Sequence, residues 1–108
     1  AQTGFEGFLK AHPRHRLAGN AQYWLGEVYY VREDYKSAAG AFLKGYQTYS
    51  RSPKAPDSLL KLAMSLDRLG ARDDACASFS AIAQRFPNAQ NHVRNRAQSE
   101  MRRLRCAG

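Results

Sequence analysis

The sequence has no apolar run near the roughly 20 residues needed to span a bilayer, and this excludes a membrane-spanning helix within these 108 residues. No segment alternates apolar and polar residues with period two, so no strands are expected. Cysteine is scarce. Cys76 and Cys106 are too few and too far apart for a zinc framework. In an oxidising compartment they pair only if their Cα atoms come within roughly 7 Å. Otherwise Cys76 is a small buried residue and Cys106 a thiol near the end of the chain. There is no nucleophile elbow, glycine-rich phosphate loop or HExxH motif, so no constellation favours an enzyme, and no cofactor or metal is expected. Acidic residues are also few, nine against seventeen Lys and Arg, leaving a net charge of +8.

That excess fits nucleic acid, anionic lipid or an acidic protein surface, or simply a solvated outer face. Arg94, Arg96, Arg102, Arg103 and Arg105 stand against Glu100 alone, so this short stretch supplies half of the net charge. A nucleic-acid reader would interleave aromatics with such bases. None is present there, so no nucleic-acid partner is expected. His12-Pro13-Arg14-His15 pairs two histidines on a loop with no nearby cysteine or carboxylate, which reads as a connector and not as a metal site.

What is present is a 37-residue internal echo. Ala1, Ala38 and Ala75 recur at that spacing, as do Phe5, Phe42 and Phe79. Leu25 and Leu62, Gly26 and Ala63, and Tyr29 and Leu66 repeat with the same offset, and Pro13 and Pro87 lie two periods apart. A fixed period in this range marks a repeat architecture, in which each unit buries its apolar face against its neighbour. Such an array offers a groove to a partner more readily than a pocket for chemistry.

Helical periodicity fills in the units. Phe5, Phe8 and Leu9 share a face of a first helix, Phe5 to about His12, that Pro13 stops. Asn20 is a candidate N-cap, followed by Ala21, Trp24, Leu25, Val28 and Tyr29 at amphipathic spacing. After the polar break Arg32-Glu33-Asp34, a helix from about Tyr35 to Tyr49 carries Ala38, Phe42 and Tyr46 inward. Gly45 is expected where two helices approach closely. Ser50 to Pro56 is a connector, and a helix from about Asp57 to Leu69 ends on Gly70 as a left-handed cap. The next runs from about Asp73 to Phe86. Asp73-Asp74 sits at its N-terminus, where acids complement the helix dipole. The last begins near Asn91, with Val93, Ala97, Met101 and Leu104 as its apolar stripe, capping an otherwise exposed repeat end.

Leu25-Gly26-x-x-Tyr29 with Ala38-x-x-x-Phe42, and Leu62-Ala63-x-x-Leu66 with Ala75-x-x-x-Phe79 and Pro87, resemble the tetratricopeptide repeat signature. The departures are Gln22 and Leu59 where tryptophan is usual, Ser50 where proline is frequent, and a period of 37 instead of 34. The fold expected is an all-α tetratricopeptide-repeat helical solenoid, right-handed, of about two and a half repeats plus a C-terminal capping helix. Residues 1–108 form a single domain: 1–16 the second helix of a truncated repeat, 19–52 and 56–89 two repeats, 90–108 the capping helix. Because Ala1-Gln2-Thr3-Gly4-Phe5 falls in the middle of a unit, the chain is expected to be a piece of a longer protein.

Tyr29-Tyr30, Asp34-Tyr35, Ser52-Pro53-Lys54-Ala55-Pro56-Asp57 and Asp74-Ala75-Cys76-Ala77 narrow the match. They resemble the C-terminal domain of the YbgF/CpoB family of periplasmic Tol–Pal system proteins. That resemblance implies a non-enzymatic periplasmic adaptor of the cell envelope that binds TolA. It also implies a link between outer-membrane constriction and peptidoglycan synthesis during cell division, and a whole protein trimerised by an N-terminal coiled coil. In tetratricopeptide arrays the first helix of each pair lines the concave groove. This places the candidate partner-binding residues at Asn20, Tyr23, Glu27, Tyr30 and Val31, then at Asp57, Leu60, Met64 and Asp67. Tyr23 and Tyr30 are expected exposed there as anchors. Leu60 and Met64 are either an adaptable apolar floor or covered by the last helix. The groove lacks the lysine and asparagine clamp for a terminal carboxylate, so recognition of an internal helical or extended segment by shape is expected. The alternatives are a scaffold acting mainly through self-association, and an electrostatic binder of an acidic partner through the arginine-rich last helix.

Overall fold

A computed structural model describes residues 1–107 as six α-helices: α1 (Gln2–Ala11), α2 (Ala18–Val31), α3 (Tyr35–Gln47), α4 (Ala55–Arg68), α5 (Arg72–Arg85) and α6 (Asn91–Leu104). Each helix packs on the next. In addition the backbones of α2 and α4, and of α4 and α6, come close, whereas those of α1, α3 and α5 stay apart and α3 and α5 meet only through side chains such as Arg85 over the Tyr46 ring at 5.8 Å. The even-numbered helices therefore form the tighter layer, and the array curves so that this layer is its concave side. The architecture is the all-α helical repeat that the period implied.

The repeated small and large residues explain the pairing. Ala38, Phe42, Ala63, Ala75, Phe79 and Ile82 are all at most 1% exposed. A Cβ on Gly26 would stand 2.5 Å from the Phe42 ring, so only glycine lets that ring lie flat against α2. A Cβ on Gly45 would meet Ser58 Oγ at 2.7 Å, which is the close approach of α3 and α4 expected at that glycine. Gln22, where the repeat family usually has tryptophan, is 3% exposed, and its Nε2 donates to Ala41 O at 3.0 Å. A hydrogen bond from α2 to α3 thus replaces bulk.

The helix ends reveal a second periodicity. After α4, Gly70 takes φ 81°, and its neighbours close the turn through Gly70 N–H to Asp67 O and Ala71 N–H to Leu66 O. One period earlier Glu33 takes φ 61° with the same bonds, Glu33 N–H to Tyr30 O and Asp34 N–H to Tyr29 O. The polar break is therefore a left-handed cap held by a glutamate. Asn20 is not an N-cap: α2 begins two residues earlier, with Leu17 at the cap position. Leu17 N–H instead donates to His15 Nδ1 at 3.0 Å, which gives that histidine a local role in the connector. Asp34 does cap α3, accepting from Ser37 N–H at 3.2 Å.

The last helix is fastened in three ways. Val93 and Ala97 are buried against the preceding unit. Arg72 donates to Leu104 O at 2.9 Å and to Arg105 O, binding carbonyls that a helix C-terminus leaves without partners. A disulfide joins Cys76 on α5 to Cys106, with Cα atoms 5.6 Å apart, so the two cysteines are paired.

Candidate interaction groove

The concave face is built from α2, α4 and α6, and two adjoining depressions run along it. Tyr23, Leu60 and Met64 lie in the first with Asp57, Lys61, His92 and Arg96. Tyr30, Met64, Asp67, Arg68, Arg96, Glu100 and Arg103 line the second. Met64 and Arg96 belong to both, so the two form one shallow trough.

Seven of the nine residues expected to bind a partner fall on or beside this trough, and they are less exposed than their positions in the repeat imply. Tyr23 is 8% exposed and is not an open anchor. Phe42 packs against it at 5.8 Å and Trp24 at 5.1 Å, and Lys54 Nζ sits over its ring at 4.9 Å. Burial, then the neighbouring Glu27 and Asp57 carboxylates, push its hydroxyl pKa up to about 12. Tyr30 is half-buried, edge-on to Tyr35 at 5.1 Å and beneath Lys61 Nζ at 4.6 Å. Leu60 and Met64 are 7% and 9% exposed, which makes them core residues whose outer atoms floor the trough. Val31 is 78% exposed at the far end of α2, outside both depressions. Asn20 is half-buried in the first turn of α2, also outside them. Glu27, Asp57 and Asp67 are half-buried and in place.

Most of the trough's charges are already matched; Arg68 instead lies over the Tyr35 ring at 5.6 Å. Lys61 Nζ lies 3.0 Å from Glu27 Oε1, an ionic contact without well-directed hydrogen-bond geometry. His92 Nε2 is 3.4 Å from Asp57 Oδ2. Arg96 is 3.6 Å from Glu100, and Arg103 bridges Glu100, at 3.0 Å, and Asp67. Hydrogen bonds to Glu100 and then Asp67 hold the Arg103 pKa above its ordinary value. The arginine-rich helix therefore turns Arg96 and Arg103 towards carboxylates of the groove. A face of mostly paired ions with an apolar floor recognises by shape and local hydrogen bonding more than by net charge.

The sequence pattern missed the α6 contribution: His92, Arg96, Glu100 and Arg103. Two periods on from Leu25, Gly26 and Tyr29 stand Ser99, Glu100 and Arg103. The core signature is absent there, so the sequence marks α6 as a cap and an arginine-rich surface but not as a wall of the groove. Its own stripe rotates it differently and presents these polar residues to the trough.

A model of the tetratricopeptide repeat matches residues 57–89, the unit made by α4 and α5. A stretch of 34 residues, 32% of this chain, is 50% identical to the cell division coordinator CpoB of Pseudomonas putida strain KT2440. The same identity is found with a second CpoB from Pseudomonas putida. The matched stretch spans 13% of the length of these relatives. With six helices and no strand among the described residues, the chain is an all-α helical repeat that is similar to the tetratricopeptide repeat over residues 57–89 and to CpoB over 34 residues.

Proposed function

We propose that this tetratricopeptide-repeat chain is a non-enzymatic adaptor that holds a helical or extended segment of a protein partner in the trough of α2, α4 and α6. The observation that carries this reading is the continuity of the trough across three helices, with Met64 and Arg96 shared by its two halves. Similarity to a protein named a cell division coordinator supports a role in coordinating division. The finer proposal follows the family: a periplasmic component of the Tol–Pal system that binds TolA, links envelope constriction to peptidoglycan synthesis, and trimerises through a coiled coil in the whole protein. The Cys76–Cys106 disulfide supports a compartment where thiols are oxidised.

Calorimetric titration of this chain with the periplasmic part of TolA, at low and moderate salt, tests the proposal. Tyr30→Ala/Arg96→Ala changes the trough while leaving Tyr23 in the core. Binding that tolerates salt and is lost in the double variant is the expected outcome. Binding unaffected by the double variant removes the groove from the proposal, and absence of binding removes TolA.

A further inference from the structure

The molecule's net charge is concentrated at one end. Residues 10–17, 44–54 and 85–94 contain eight Lys and Arg and no Asp or Glu, while the rest of the chain holds nine bases and nine acids. These segments are the last turns of α1, α3 and α5, the connectors that follow, and the first turn of α6. The fold brings the connectors together. Tyr49 Oη donates to Pro13 O at 2.9 Å, joining the first connector to the second. The Ser52 side chain packs against Gly19 where any larger residue would collide. Two depressions of about 380 and 440 Å³ follow one another along this edge and share Ser50, Ser52 and Pro53.

None of the eight cations forms an ion pair among the described residues, whereas in the concave trough Lys61, His92, Arg96 and Arg103 all do. Arg16 and Arg51 line the first depression and Arg85 the second. Asp57 is the one acid in their walls, and it faces His92. Hydroxyls of Ser50 and Ser52 and the amides of Asn88 and Gln90 add neutral donors.

We infer that the connector edge is a second interaction surface, separate from the concave trough, that binds an extended, carboxylate-rich segment of a protein. The chemistry is that of uncompensated guanidinium groups, which prefer carboxylates in planar two-point contact. The shape selects an extended chain. Arg16, Arg51 and Arg85 are exposed along two depressions that run end to end, a path that a thin polypeptide can follow while its carboxylates meet the arginines on either side. Backbone carbonyls of such a chain can meet the serine hydroxyls and amides between the arginines. The charge excess thus belongs to the connectors, and the arginine-rich last helix contributes mainly through Arg94 at its start.

The test uses a fluorescein-labelled peptide of alternating glutamate and serine, about twelve residues or about 40 Å when extended, against a longest molecular dimension of 42 Å. Anisotropy is read with this chain, with Arg16→Gln/Arg51→Gln/Arg85→Gln, and with Arg32→Gln/Lys36→Gln/Arg102→Gln, which removes equal charge elsewhere. Circular dichroism verifies that both variants fold. The expected result is binding that weakens as salt screens it, falls about tenfold in the first variant and less than about twofold in the second. It is also unchanged in Tyr30→Ala/Arg96→Ala, so it stands or falls independently of the concave trough. Equal loss in the two triple variants would reduce the effect to net charge and overturn the inference. So would connector-dependent binding to phosphatidylglycerol vesicles or to an oligothymidylate with none to the peptide.

Discussion

Reduction of the Cys76–Cys106 disulfide is expected to loosen the array at its last helix. The bridge spans a sequence separation of 30 residues. Closing a loop of that length removes roughly 12 cal/mol/K from the unfolded chain, or about 3.6 kcal/mol at 25 °C. This is an upper value, because α6 also stays docked through Val93 and Ala97 and through the Arg72 clasp on Leu104 and Arg105. For a domain of this size each kcal/mol moves the midpoint by about 4–8 °C, so a fall of about 15 °C is the scale to look for. Repeat arrays couple mainly between neighbours. The loss should therefore appear first in α6, as amide exchange that accelerates there while α3 and α4 stay protected. Thermal unfolding followed by far-ultraviolet circular dichroism, with and without a phosphine reductant, measures the shift. The Cys76→Ser/Cys106→Ser variant should melt at the reduced protein's temperature and ignore the reductant. Coincident melting curves for oxidised and reduced protein would refute the argument, as would free thiols titrating in the unfolded, unreduced chain.

Three further outcomes follow from the packing. Gly26→Val drives two methyl groups into the Phe42 ring, which already lies 2.5 Å from a hypothetical Cβ; a loss of about 1–3 kcal/mol in urea unfolding is expected, and Phe42→Leu should recover part of it. Glu33→Gly relieves a side chain held at φ 61° and should raise stability by about 0.5–1 kcal/mol in the same assay, whereas Gly70→Ala should lower it. Tyr23 is held neutral in the folded state by burial and by Glu27 and Asp57, with its pKa raised from 10.0 to about 12. The raised value means that the unfolded chain loses this proton first. The associated stability is complete below pH 10.0 and is lost as pH rises through about 12. Alkaline unfolding should shift upward in Tyr23→Phe, and an unchanged midpoint would rule out Tyr23 as the titrating group.

The helices and their pairing were written in the sequence because they rest on spacing. Ala38 with Phe42 and Ala75 with Phe79 recur at one period, and each pair needs its partner's surface close by, so Gly26 and Ala63 recur with them. Leu25, Leu62 and the apolar stripe of α6 likewise identify the inward faces. A positive φ at Glu33 was not legible, because only glycine advertises that conformation and the equivalent Gly70 does. The N-terminus of α2 misled for a related reason: Asn20 has the chemistry of a cap, but the connector turn through His15 starts the helix at Ala18.

The two proposed interaction surfaces divide along the same line. Which residues belong to the even-numbered helices, and so to the concave face, follows from the repeat frame. Whether Tyr23 is open or covered depends on Phe42 packing against it from α3 and on Lys54, which the path of the connector brings over its ring. Whether Cys76 meets Cys106 depends on the angle at which α6 docks. The net charge of +8 could be counted from composition, but its gathering at one edge could not, since Lys10, Arg51 and Arg85 are tens of residues apart along the chain. A periodic pattern specifies short-range neighbours, one helix against the next. Charge, burial at a surface and a bond between distant cysteines are set by the stacking of all six helices, and only the tertiary structure decides them.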